Sequence, residues 1–328
     1  MKKIGVVEGY YGKSSNFDDR KKIIESLNRH DLNFYLYAPK EDPFLRSHID
    51  IEYTKEWLTA FRDFVDFSKD HSVNVGVGLA PVKTADTADL KEKIKVFEEQ
   101  GIGSFSILFD DIEEGFCFEK QLEIFNDVKT SFAEISFDFC PTVYSTELIN
   151  KDRKHNDYFN DFVSHFPKSS NFFWTGDKVI SLEMNKDSQS SLSDFNNENI
   201  FIWDNYFTTD SCPKNINLSF CDHLSFEFLD SKKCYLINLT GMPRTDKLIV
   251  ELFGSFKQGE KDCFEKILLR HGVDERFLDL MHALNPNSKN KLNDNDKHKI
   301  HEIMFSWFHP LKNEWYPYLH NLKKGENL

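Results

Sequence analysis

Eight short apolar runs, each followed by a helix-like or irregular crossover before the next begins, constrain this chain more than any other feature. They cover residues 4–7, 33–37, 73–79, 104–109, 137–140, 171–174, 200–203 and 234–237. Between them, residues 18–30, 54–70, 88–100, 119–133 and 158–166 carry apolar side chains at helical spacing, and Trp57, Leu58, Phe61, Phe64, Val65 and Phe67 form the broadest stripe. Residues 187–199 are Ser- and Asn-rich and predict at most a short helix, whereas 245–256 close the series as a helix. Continuous apolar runs read as strands covered on both faces, and parallel strands need crossovers. Eight βα units in about 250 residues are the count of a closed (β/α)8 TIM barrel. The competitor is an open doubly wound sheet. Beyond residue 259 the pattern is helical only, over 262–271, 274–284 and 297–308. The expected organisation is therefore an α/β barrel over residues 1–258 with a small C-terminal helical appendage over 259–328.

The fourth run, Ser104-Phe105-Ser106-Ile107-Leu108-Phe109, ends in two neighbouring carboxylates, Asp110 and Asp111. The C-terminal tips of parallel strands are where α/β enzymes keep their chemistry. The structural alternative is a helix cap beside a solvated turn residue, since Asp suits both. Composition narrows the partners. A net charge of −13 argues against nucleic acid or an anionic membrane, because phosphate contacts need a basic surface. No apolar stretch approaches a membrane span. Glu8 and Gly9 interrupt the first apolar run too early for a signal peptide. The six cysteines show no CxxC and no metal-ligand spacing, which reads as reduced thiols in a cytoplasmic protein with no metal and no cofactor.

In a barrel, the residues after each strand converge on one mouth. They are Glu8-Gly9-Tyr10-Tyr11-Gly12, Tyr37-Ala38-Pro39-Lys40, Asp110-Asp111, Pro141-Thr142-Val143-Tyr144, Trp174-Thr175-Gly176, Trp203-Asp204-Asn205 with Asp210 shortly after, and Asn238. Each has an ordinary explanation alone: glycines serve turns, Lys40 can pair Glu41, and Tyr144 and the tryptophans can be packing. Together they describe a pocket with aromatic walls and many neutral donors and acceptors. Such a surface suits a sugar, whose ring faces stack on aromatics while its hydroxyls take hydrogen bonds. No GxxxxGK[ST] or GxGxxG phosphate cradle is present. In the C-terminal region, Trp307, Phe308, Trp315, Tyr316 and Tyr318 read as helix packing or a homodimer contact. His298 and His301 lack the HExxH spacing and read as surface histidines.

The order and spacing of Val6-Val7-Glu8-Gly9-Tyr10-Tyr11-Gly12, Tyr37-Ala38-Pro39-Lys40-Glu41-Asp42, Leu108-Phe109-Asp110-Asp111-Ile112, Phe139-Cys140-Pro141-Thr142-Val143-Tyr144, Trp174-Thr175-Gly176 and Ile202-Trp203-Asp204-Asn205 resemble glycoside hydrolase family 84. That family comprises the retaining β-N-acetylglucosaminidases, including the protein O-GlcNAcases. The resemblance covers residues 1–256. It implies that Asp110 orients the substrate's 2-acetamido group and that Asp111 is the general acid/base. It further implies sugar-hydroxyl contacts from Gly9, Lys40, Asp210 and Asn238, groups around the acetamido and anomeric centre from Tyr144 and Asn205, and a pocket wall from Trp203. The implied substrate is an N-acetylglucosamine-containing glycan or glycoprotein. Leu79-Ala80-Pro81-Val82 and Leu239-Thr240-Gly241 depart from the family pattern, which bears on the rim and aglycone side.

Adjacent aspartates on one strand tip are poorly placed as an acid and a nucleophile flanking a bond. They suit a reaction in which the substrate's own acetamido oxygen attacks. That mechanism leads one to expect Asp110 ionised and Asp111 protonated, as a coupled pair. Two rivals stay open here. One is a metal-dependent lyase or phosphoryl-transfer barrel in which Asp110 and Asp111 hold Mg²⁺. The other is a glycan-binding barrel without turnover.

Overall fold

The computed structural model describes residues 2–81, 87–209, 215–260 and 262–324. Eight strands alternate with crossovers in chain order: β1 (Lys3–Glu8), α1 (Phe17–Arg29), β2 (Phe34–Tyr37), α2 (Lys55–Asp70), β3 (Asn74–Leu79), α3 (Ala88–Glu99), β4 (Ser104–Leu108), α4 (Phe118–Ser131) and β5 (Ser136–Cys140). There follow α5 (Thr146–Ile149), α6 (Arg153–His165), β6 (Asn171–Trp174), β7 (Ile200–Asp204), α7 (Phe226–Ser231), β8 (Cys234–Asn238) and α8 (Pro243–Lys257). Each strand pairs in parallel with its neighbours, and β8 pairs with β1. The sheet is a closed barrel in sequential order, which rules out the open doubly wound alternative.

Strand alternation divides the side chains into two cores. The outward set, including Val6, Tyr35, Val77, Ile107, Phe139, Phe172, Ile202 and Ile237, packs against the helices in one continuous apolar layer. The inward set, Val7, Phe34, Leu36, Leu108, Cys140, Phe173, Phe201, Trp203 and Leu236, fills the barrel. The floor is polar. Lys3 Nζ donates to Asp138 Oδ2 at 2.7 Å and to Ser104 Oγ at 3.0 Å, and Asn171 Nδ2 donates to Asp138 Oδ1 at 3.0 Å. These bonds tie together the strand N-termini, at the end of the barrel opposite the acidic pair. The chemistry-bearing tips expected from the sequence therefore share one face of the molecule.

Residues 187–199, expected to hold at most a short helix, form two 3-10 turns (Asp187–Leu192 and Asn197–Asn199). After the barrel come α9 (Phe264–Arg270), a 3-10 segment (Glu275–Leu284), α10 (Asp294–Ser306) and α11 (Pro310–Lys324). Helix α11 lies outside the expected elements because Pro317 sits inside it. It docks firmly nonetheless. Trp315 Nε1 donates to Thr245 Oγ1 at 3.0 Å, and the Glu314 carboxylate accepts from the backbone N–H groups of Arg244 at 3.1 Å and Thr245 at 2.9 Å. Glu314, from α11, thus supplies the anion that the N-terminus of α8 favours. Of the C-terminal aromatics, Trp307 and Trp315 are buried and pack edge to face with centroids 5.7 Å apart, whereas Phe308 is 90% exposed. His298 is exposed, as expected of a surface histidine. Among the described residues, no helix is long and apolar enough to cross a membrane.

Candidate active site

The mouth of the barrel holds a pocket of about 500 Å³, counting its open entrance, lined by Gly9, Tyr11, Lys40, Asp110, Asp111, Cys140, Tyr144, Phe173, Thr175, Val179, Trp203, Asn205 and Asn238. Every expected site residue within the described part of the chain is here. Asp210 lies outside the described residues, as does Val82 of the departing third loop.

The acidic pair is fixed by the neighbouring strand tip. Phe109 N donates to Cys140 O at 2.9 Å, Thr142 Oγ1 donates to Phe109 O at 2.7 Å, and Tyr158 OH accepts from Thr142 N at 3.0 Å. Asp111 adopts a left-handed backbone conformation, φ 56°, which is uncommon for a residue with a Cβ and is held only where the surroundings enforce it. That turn aims both neighbouring carboxylates into one pocket, where an extended strand would send them to opposite faces.

Lys40 follows β2 on a loop that Asp42 ties down, its carboxylate accepting from Tyr37 OH at 2.9 Å and Tyr53 OH at 2.8 Å. Its ammonium is buried, donates to Asp110 Oδ2 and lies 3.6 Å from Asp111 Oδ2, so its partner is this pair and not Glu41. Tyr144 OH donates to Asp111 Oδ1 at 2.9 Å and Tyr11 OH donates to Oδ2 at 2.8 Å. Asp110 Oδ1 is buried with no hydrogen-bond partner among the described residues.

The charges differ from the expected division. Burial pushes the Asp110 carboxyl up, opposed by Lys40 and reinforced by the charge of Asp111. Burial also acts to raise Asp111, but Lys40 and the hydroxyls of Tyr11 and Tyr144 outweigh it and hold this carboxyl below its ordinary range. Asp111 is therefore the more acidic of the two, the reverse of the expectation of an ionised Asp110 beside a protonated Asp111. The reason is geometric. Asp111 gathers two hydroxyl donors, while half of Asp110 faces none. Burial acts to lower the Lys40 ammonium, but Asp110 and Asp111 overcome it and push it up, so Lys40 stays charged.

The opposite wall is a chain of neutral groups. Asn238 Oδ1 accepts from Gly9 N at 3.0 Å, Asn238 Nδ2 donates to Asn205 Oδ1 at 2.9 Å, Trp203 Nε1 donates to the same oxygen at 3.1 Å, and Asn205 Nδ2 donates to Val179 O at 3.0 Å. Gly9 is required here because a Cβ would lie 2.2 Å from Trp203 Cζ2. In the departing eighth loop, Gly241 turns with φ 78°, and Thr240 donates through both N and Oγ1 to Asp246 at 2.7 Å. Burial pushes the Asp246 carboxyl up to about 7 despite those bonds.

Five lining residues had been assigned no role: Tyr11 and Thr175, which lie on strand tips expected at the mouth, and Cys140, Phe173 and Val179. Alternation from Leu108 and Trp203 could have marked Cys140 and Phe173 as inward-facing. Val179 carries no local signal. Among the described residues, no group of three or more His, Cys, Asp or Glu side chains could hold a metal ion.

The comparisons with known proteins bear on the family and the fold. A sequence profile described as beta-N-acetylglucosaminidase matches residues 4–277. The chain is 28% identical over 253 residues to the protein O-GlcNAcases of Mus musculus and Rattus norvegicus, a match covering 71% of this chain and 27% of each relative. It thus spans about a quarter of the length of those curated relatives. The solved "Structure of CpGH84B" superposes with a TM-score of 0.81 at 18% identity, covering 99% of this chain and 67% of that one, which bears on the fold alone. By its profile match over most of its length, supported by the barrel and the acidic pair at its mouth, the chain belongs to the beta-N-acetylglucosaminidase family, glycoside hydrolase family 84.

Proposed function

We propose that this protein is a retaining, exo-acting β-N-acetylglucosaminidase that uses the substrate's acetamido group as nucleophile. The observation that carries the reading is Asp110 Oδ1, a buried acceptor without a donor among the described residues, one residue from Asp111 in the pocket at the barrel mouth. A buried acceptor left bare costs free energy that a ligand donor recovers. The N–H of a 2-acetamido group is such a donor, and bonding it steers the acetamido oxygen toward the anomeric carbon. Asp111 then passes a proton to the leaving oxygen and later takes one from water. Tyr144 and Asn205 supply hydrogen bonds around the developing oxazoline, and Trp203 gives the ring a wall. Gly9, Lys40 and Asn238 meet sugar hydroxyls, with Asp210 assigned the same task by family resemblance. Lys40, seated between the two carboxylates, supplies the positive charge that a metal-dependent reading would ask of Mg²⁺.

The direct test is hydrolysis of an aryl β-N-acetylglucosaminide, with and without chelator and reductant. Turnover unchanged by either is expected, and activity abolished by chelator would replace this reading with the metal-dependent one. Binding of N-acetylglucosamine without turnover would make the protein a glycan-binding barrel. A glucosamine-fused thiazoline mimics the bound oxazoline and is expected to bind at least about 10²-fold more tightly than N-acetylglucosamine, because catalysis is differential binding. Inhibition constants no tighter than that of the free sugar would sink the acetamido mechanism.

We also infer assembly through the C-terminal helices, where Phe305, Phe308 and Tyr316 are exposed. A second copy of the chain is the proposed occupant. Sedimentation is expected to give a dimer that Phe308→Glu dissociates, and a monomer in the unsubstituted protein would end this inference.

A further inference from the structure

The bond that a glycosidase breaks lies beside its acid, so whatever follows the sugar leaves past Asp111. Exposure gives that direction: the Asp111 side chain is 30% exposed, against 10% for Asp110 and 5% for Lys40. This solvent side of Asp111 carries a second cation. Arg46 Nη1 donates to Tyr11 OH at 3.0 Å and that hydroxyl donates to Asp111 Oδ2 at 2.8 Å, which sets the guanidinium one hydroxyl away from the acid. The carboxylates that act most strongly on Arg46 are Asp110 and Asp111. The loop after β2 holds it there. Asp42 Oδ1 accepts from Phe44 N at 3.0 Å, Arg46 N donates to Pro43 O at 3.1 Å, and the carbonyl of buried Leu45 accepts from Ala80 N at 2.8 Å. Arg46 is half-buried, and among the described residues its side chain bonds to Tyr11 with no carboxylate at ion-pair distance. None of its nitrogens is buried without a partner. A guanidinium has five N–H donors in a planar fork that matches a carboxylate, so most of this fork is left to face the departing group.

Resting on the glycosidase reading above, we propose that Arg46 is a specificity-determining residue that selects aglycones bearing a carboxylate close to the glycosidic oxygen. The charge count at the mouth supports this. When Asp111 holds the proton that it gives to the leaving oxygen, the remaining charges are Asp110 negative, Lys40 positive and Arg46 positive. One positive charge is then in excess. A carboxylate on the leaving group balances it, meets the unused N–H groups of Arg46, and by its own charge favours the protonated form of Asp111. Lys40 does not serve here, because its ammonium is buried and bonded to Asp110. At long range the net charge of −13 repels an anionic partner, so the attraction is local and opposite in sign to the field of the whole molecule. The carboxylate belongs either to an acidic residue flanking a glycosylated serine or to an acidic sugar, and the chemistry that recognises it is the same.

The test compares kcat/KM for the β-N-acetylglucosaminides of para-hydroxybenzoate and para-hydroxybenzamide in the unsubstituted protein, Arg46→Met and Arg46→Lys. Comparing the ratio of the two substrates between proteins cancels their intrinsic leaving-group ability. Arg46→Met is expected to lower the carboxylate-to-carboxamide ratio about fivefold, the upper end for a solvent-facing ion pair, and Arg46→Lys to keep most of it. In the unsubstituted protein, added salt should lower the ratio by screening a local attraction, whereas repulsion by the net charge would make it rise. A ratio untouched by Arg46→Met would overturn the proposal. Where that variant turns over neither substrate, a ratio in the unsubstituted protein that is constant or rising with salt does the same. Two further pairs identify the source: serine-linked glycopeptides differing by Asp for Asn beside the serine, and disaccharides differing by a uronic acid for the neutral hexose. A preference in one pair assigns the source, and a preference in neither overturns the proposal. Failure of the glycosidase reading shows separately, as no turnover of the neutral carboxamide glycoside by the unsubstituted protein.

Discussion

Asp111→Ala is expected to slow bond cleavage by about 10² to 10⁴-fold for a sugar or serine leaving group, the usual worth of general acid assistance. The same change should cost little when the leaving group is a highly activated phenol, which departs without a proton. Asp110→Ala should behave differently, since the acetamido group it meets is common to every substrate. Its loss should slow all N-acetyl substrates largely irrespective of the leaving group. The comparison belongs on kcat/KM, which reports the first irreversible step and so avoids the later role of Asp111 toward water. Leaving-group dependence appearing in the Asp110 variant and not in the Asp111 variant would reverse the two assignments.

Lys40→Met should be the most damaging single change away from the acidic pair. The side chains of Lys40 and Asp110 are 5% and 10% exposed, so removing the ammonium strands a buried carboxylate. Breaking a buried pair from one side typically costs about 3–5 kcal/mol. The sign of the pH dependence follows from Asp110. Its folded pKa already lies above the ordinary carboxylate value, and without Lys40 it rises further. A group of that kind destabilises the fold once pH rises above its unfolded value, and the penalty disappears on protonation. The melting-temperature deficit of Lys40→Met should therefore be large near pH 7 and narrow toward about pH 4. A deficit constant across that range would show that Lys40 acts by packing and not by charge. Activity should be lost at neutral pH as well, because the proposed contact of Lys40 with a sugar hydroxyl goes with the ammonium.

These two experiments separate what is written locally in the chain from what is written only in space. Strand and helix periodicity are properties of near neighbours, so the eight strands, their crossovers and the position of Asp110 and Asp111 at the fourth tip could be read from the sequence. So could the convergence of Gly9, Tyr144, Trp203, Asn205 and Asn238, because closing the barrel brings all its strand ends to one mouth. Helix α11 was hidden by Pro317, and what holds it is burial of Leu311, Trp315, Leu319 and Leu322, a tertiary effect that outweighs local propensity. The partner of Lys40 is likewise tertiary: Glu41 is adjacent in sequence, yet Asp110, 70 residues away, is the one its buried ammonium meets. Charge state is the clearest case. Two adjacent aspartates are chemically alike, and what sets them apart is that Asp110 is the more deeply buried while Tyr11 and Tyr144, from two different loops, both donate to Asp111. Sequence fixes which groups reach the mouth, but electrostatics depends on distance and burial, and only the folded chain sets those.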